Sequence, residues 1–145
     1  MKKQTVLFIC SYNSVRSQIA EGLLNARCKD RYRAYSAGIA PAGLNPYAAL
    51  VMKEHGMDIS SQRSKKLHDI TGIRFDYVVT MCDRANLAIA GSIPEGAHRI
   101  HRNFVSPSEI RKDKAGTLAD FRSLREEIDA WLRDIFPDCP ENKVV

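Results

Sequence analysis

The chain has 145 residues and a mass of 16.3 kDa, one domain's worth of sequence at roughly 100–200 residues per domain. With 44% hydrophobic and 27% charged residues, it has the balance of an ordinary soluble globular protein, which excludes disordered and fibrous architectures. Its 22 Lys and Arg against 17 Asp and Glu leave a formal charge of +5, a balance that suits anionic partners without naming one.

No apolar run approaches the ~20 residues of a membrane span, and the apolar stretch from Val6 to Cys10 is too short for a signal peptide's core. A cytoplasmic location and no membrane partner are the expectations. Basic residues cluster at Arg27, Lys29, Arg31 and Arg33 and again at Arg63, Lys65 and Lys66. Acids are interspersed among them, and neither zinc-finger spacing nor an RNA-binding signature is present, so nucleic acid is not the expected partner. Cys10, Cys28, Cys82 and Cys139 are spaced too widely for a CxxC or zinc pattern. His55, His68, His98 and His101 show no metal spacing and read as surface or strand residues. No metal and no structural disulfide framework is expected, so any thiol chemistry depends on cysteines that the fold brings together.

In chain order, Thr5 to Ile9 is a short, fully apolar run of the kind found in a buried parallel strand. It leads directly into a polar loop from Cys10 to Ser17. Ile19, Leu23 and Ala26 then follow helical spacing. Arg33 to Ala37 reads as a second strand ended by Gly38, and Pro41 to Pro46 as loop. Asn45 followed by Pro46 is a helix start, and Gly56 a helix stop. Tyr77 to Met81 forms a third strand and His98 to His101 a short fourth. Leu118, Phe121, Leu124, Ile128, Trp131, Leu132 and Ile135 mark an amphipathic helix closed by Pro137, with Trp131 a core residue. The tail beyond Pro137 reads as loosely attached. This alternation predicts a single α/β domain over residues 1–145: a four-stranded parallel sheet with helices on both faces. Ligands of such sheets sit at the carboxyl ends of strands, where Cys10 and Cys82 both fall.

The pattern Cys10-x5-Arg16-Ser17 between an apolar strand and a helix suits a tetrahedral oxyanion. Successive backbone amides over Ser11, Tyr12, Asn13, Ser14 and Val15 form a concave nest, and the helix adds the positive end of its dipole. Arg16 grips two oxygens through its planar fork. The same field favours the thiolate form of Cys10, a nucleophile facing the captured anion.

The run Val6 to Gly22 resembles the active-site segment of the low-molecular-weight tyrosine phosphatase superfamily. Ser17-Gln18 followed by Ala20-Glu21-Gly22 is similar to its thioredoxin-coupled arsenate reductases, as are Tyr35 to Ile39, Gly43 to Pro46, Gly56 to Ser60 and Val78 to Cys82. The resemblance implies the superfamily's fold and a thiol-dependent reduction of arsenate to arsenite. In that reaction Cys10 attacks the anion held by the loop and Arg16, and Cys82 resolves the intermediate as a Cys10–Cys82 disulfide. It further implies that Asn13, Ser14 and Ser17 hold the loop, with the Ser17 hydroxyl donating to Cys10. No bound cofactor is implied. An external reductant, thioredoxin or a small thiol, is. The alternatives are a phosphotyrosine-type phosphatase and a catalytically weak binder of oxyanions or phospho-ligands.

Three departures from the resemblance stand out. No third cysteine lies between Asp83 and Ser106, where Ile89 and Ala90 occupy the corresponding region; Cys28 reads as a helix-packing residue and Cys139 lies in the tail. Ser106-Pro107 stands where the superfamily has an Asp-Pro acid, with Asp83 and Asp113 as candidate substitutes. The reductases bind potassium through residues matching Asn13, Glu21 and Ser36 plus an acid. Here Lys65 takes the acid's place, and its ammonium repels or replaces the cation.

Overall fold

The computed structural model describes residues 2–70, 72–91, 97–107 and 113–137; Cys139 and the tail after Pro137 lie outside them. The elements are β1 (Gln4–Cys10), α1 (Arg16–Arg27), β2 (Tyr32–Gly38), α2 (Pro46–Glu54), a 3₁₀ turn (Leu67–Asp69), β3 (Tyr77–Thr80), α3 (Asp83–Ala88), β4 (His98–His101) and α4 (Lys114–Ile135). The four strands form one sheet in the order β2-β1-β3-β4, all parallel. The chain leaves β1 toward β2 and then returns to its other side for β3. The ends of β1 and β3 therefore flank a topological switch point, the place where such sheets bind ligands.

Alternation along β1 sorts the core into two halves. Val6 and Phe8 pair with Tyr77 and Val79 of β3, and this face receives α1 and α4. Phe136, which follows α4, packs its ring against Tyr32 and Tyr77 at 4.9 and 5.3 Å, and Trp131 meets Phe104 edge-on. Leu7, Ile9 and Val78 turn to the opposite face, where Phe75, Ile70 and the α3 end residues Ala88 and Ile89 close over a largely apolar cavity of about 530 Å³. No described helix is long and apolar enough to cross a membrane.

The helix signals are realised atom by atom. The Asn45 side chain accepts from the Tyr47 amide with Pro46 in the first turn, and Gly56 takes a left-handed φ of +79° past the end of α2. Asp113, a candidate acid in the sequence, instead caps α4 through the Gly116 amide. One expectation changes. α3 is a helix that periodicity did not reveal, because its six residues bury only Ala85. Cys28 is buried as expected at the end of α1.

Candidate active site

The loop between β1 and α1 is held from outside by its carbonyls. Those of Cys10, Ser11, Tyr12 and Ser14 accept backbone hydrogen bonds from Ile39, Ala40, Ala42 and Asn45. The Asn13 carbonyl accepts from the Gln18 side chain, and that of Val15 accepts from Ile19. With every carbonyl from Cys10 to Val15 engaged, the loop has the polarity of an anion nest. Val15, at the N-cap of α1, supplies no side-chain acceptor, so the first-turn amides of the helix add to that polarity. The loop borders a pocket of about 120 Å³ lined by Cys10, Tyr12, Ser14, Val15, Arg16, Ala42 and Ser106, room for one small tetrahedral anion.

Cys10 and its neighbours are set by buried hydrogen bonds. Asn13 adopts φ +44°, a left-handed conformation that asparagine tolerates. From there its Nδ2 donates to Ser17 Oγ at 2.8 Å, while its Oδ1 accepts from the Lys65 amide at 2.7 Å. Ser17 Oγ lies 2.9 Å from Cys10 Sγ. Since that oxygen already accepts from Asn13, its own proton is free to be donated to the sulfur. Arg16 is buried, and its Nη1 donates to the Phe104 carbonyl at 3.0 Å. This bond fixes the guanidinium plane and leaves its other donors for an anion.

Cys82 meets the loop at Ser11. Its sulfur lies 3.2 Å from Ser11 Oγ and accepts from the Ala85 amide at 3.4 Å, so Cys82 is the N-cap of α3. Cys10 and Cys82 are both free and buried, and they are linked through Ser11, the residue next to Cys10. Of the residues expected to bind substrate, Tyr12, Ser14, Val15 and Arg16 line the pocket. The side chains of Ser11 and Asn13 turn away from it, toward Cys82 and Ser17.

The candidate acids resolve clearly. Ser106 lines the pocket with Cys10 and Arg16. Asp83 does not; its carboxylate meets His101 Nε2 at 2.8 Å. On the far side of the loop the Lys65 ammonium approaches Glu21 at 3.9 Å and donates to the Arg63 carbonyl, while the Ser36 hydroxyl donates to Glu21. Burial pushes the Glu21 carboxyl above its ordinary value, against the Ser36 hydrogen bond and the Lys65 charge, which both pull it down.

Sequence reasoning passed over Gln18 as a positioning residue. It is fully buried, donates to the carbonyls of Asn13 and Arg63, and accepts from Gln62. A polar residue beside Ile19 and Ala20 on the buried side of a helix was the available signal.

Comparison with known proteins agrees with this geometry. The family model described as low molecular weight phosphotyrosine protein phosphatase matches residues 5–144. An arsenate reductase of Halalkalibacterium halodurans is 38% identical over 88% of this chain and 91% of its own. Among solved structures, the thioredoxin-dependent arsenate reductase of Corynebacterium glutamicum superposes with a TM-score of 0.71 at 30% identity, over 94% of this chain and 62% of that one. The low molecular weight protein tyrosine phosphatase of T. tengcongensis gives a TM-score of 0.77 at 24% identity, over 94% and 99%. An anion loop closed by Cys10 and Arg16 on a 2-1-3-4 parallel sheet, matched over nearly the whole length, makes this chain a member of the low molecular weight phosphotyrosine protein phosphatase family.

Proposed function

We propose that this protein is a thiol-dependent arsenate reductase. The observation that carries the reading is the second free thiol: Cys82 rests against Ser11, one residue from the nucleophile, a placement that ester hydrolysis does not need. The Cys10 thiolate attacks arsenate held by the loop amides and Arg16. A sulfur–arsenic bond forms as one arsenate hydroxyl takes up a proton from solvent and leaves as water. The Cys82 thiolate then attacks Cys10 Sγ. The sulfur–sulfur bond forms as the sulfur–arsenic bond breaks, and its electron pair departs with arsenic, which leaves as arsenite. Arsenic gains two electrons and the two sulfurs lose them.

With no cysteine between Asp83 and Ser106, the resulting disulfide is reduced directly by an external dithiol, for which thioredoxin is the proposed partner. Lys65 supplies beside Glu21 the positive charge that potassium supplies in the reductases this chain resembles.

The test is arsenite release and aryl-phosphate hydrolysis measured on one sample. Cys10→Ser should abolish both activities. Cys82→Ser should stop thioredoxin-supported arsenite release and spare ester hydrolysis. Arsenite release by Cys82→Ser at the wild-type rate overturns the resolving role of Cys82; ester hydrolysis without arsenite release by the wild type overturns the reductase reading and leaves the phosphatase one, which the shared anion pocket supports.

A further inference from the structure

Cys82 does not sit free beside Cys10. Its sulfur caps α3 through the Ala85 amide and rests on Ser11 Oγ, whereas Cys10 Sγ rests on Ser17. Bonding the two sulfurs takes Cys82 away from both partners and uncaps α3. What holds α3 down therefore bears on how readily the thiols close.

The helix is weakly packed. It has six residues, its Leu87 is 76% exposed, and its far end borders the 530 Å³ cavity. The polar grip comes from the edge of the sheet. Arg99 and His101 of β4 are two residues apart, and they pair with Val78 and Thr80 of β3, so both face the side of the sheet on which α3 lies. His101 bridges two elements: Nδ1 is 2.7 Å from Thr80 Oγ1, and Nε2 is 2.8 Å from Asp83 Oδ1 in the first turn of α3. The Asp83 amide donates to Asn103 Oδ1, and Arg99 donates to the Asn86 side chain and carbonyl. Asp83, bonded through His101, is the residue that follows Cys82.

We propose that the Asp83–His101–Thr80 bridge is a latch on α3 that keeps the Cys82 thiol off Cys10, so that His101 acts as a positioning residue for the disulfide step. The proposal rests on the reading of Cys82 as the resolving thiol. The bridge exists in the dithiol form and opens when Cys82 rotates toward Cys10. Removing it raises the free energy of the dithiol form alone, and the equilibrium moves toward the disulfide.

Glutathione redox buffers test this without arsenate: glutathione disulfide takes two electrons from Cys10 and Cys82 and becomes two molecules of glutathione. The Cys10–Cys82 fraction is read by acid quenching, alkylation and peptide mass. His101→Ala should raise the equilibrium constant for closure about three- to ten-fold, the scale of one hydrogen bond lost from the dithiol form. His101→Gln, which keeps a donor for Asp83, should move it less. In the reduced protein, His101→Ala should speed hydrogen exchange at the Ala85 and Asn86 amides while leaving inorganic phosphate affinity unchanged. If the wild type closes but His101→Ala changes neither the constant nor the exchange, the latch is wrong and the resolving thiol stands. If the wild type never joins Cys10 to Cys82 in any buffer, the resolving role and the latch fall together.

Discussion

Asn13 and Ser106 show how much of this site turns on single side chains. Asn13 holds the one left-handed φ among the described non-glycine residues, and from that conformation its amide orders Ser17 behind the nucleophile. Ser106 stands at the pocket where a leaving-group acid would act, and a hydroxyl is a poor general acid at neutral pH. Asp83 and Asp113 are bound elsewhere, to His101 and to the Gly116 amide of α4. Ser106→Asp should therefore raise kcat for aryl phosphates with poor leaving groups by up to ~10²–10⁴-fold, the usual worth of a positioned acid. The gain should shrink for nitrophenyl phosphate, and arsenite release should change far less because its second step expels arsenic rather than an alkoxide. A series of aryl phosphates compared in both proteins checks this. A gain independent of leaving-group pKa would show that Ser106 is not the acid's position.

The strand–loop–helix unit works because β2 ends in a residue with no side chain. Gly38 pairs with Cys10 in the sheet, and its amide donates to the Lys65 carbonyl. A Cβ there would lie 2.8 Å from the Asn13 amide nitrogen and 2.9 Å from the Tyr12 carbonyl carbon. These are backbone atoms of the anion loop, which have no rotamer to escape into. Gly38→Ala should cost about 1–3 kcal/mol of stability, as overpacking does. It should also weaken phosphate binding about tenfold or more by shifting the loop, with both effects readable by denaturant titration and calorimetry. Gly43, where a Cβ meets nothing within 4 Å, is a contrasting site: its φ of +86° strains an alanine without touching the loop. Gly43→Ala should lower stability while phosphate affinity stays near wild type.

Across the molecule, one partly buried carboxylate ties the loop region to stability. Glu21 of α1 is raised in pKa chiefly by burial, more than Ser36 and Lys65 compensate. A carboxyl with a folded-state value above its unfolded one binds more protons in the native state. Its contribution to stability is then fully present below the unfolded value, near 4.5, and is lost as pH rises through the folded value. Glu21→Gln keeps an acceptor for Ser36 and does not titrate. Relative to wild type, the variant should gain stability as pH rises from about 4.5, the ordinary glutamate value, toward neutrality and then level off. Urea unfolding at several pH values reads this directly. A difference that does not vary with pH would mean that Glu21 carries no such linkage.

The parts of this protein legible in its amino-acid order are those written in local chemistry. An apolar run ending at Cys10, the spacing to Arg16, the Asn45-Pro46 start of α2 and the stripe through Phe121, Ile128 and Leu132 each act within one element or its cap, and from them the parallel sheet and the anion loop follow. Contacts across long separations were not legible. Arg16 is oriented by a carbonyl 88 positions away, and Cys82 is held by a serine 71 positions away. α3 was missed because it is short and caps itself with a thiol, a residue with no reputation as a cap. Periodicity and capping are properties of a segment, whereas the partner of a side chain at a strand end is set by which strand lies beside it. Sheet order and register therefore bring Cys82 to Ser11 and His101 to Asp83.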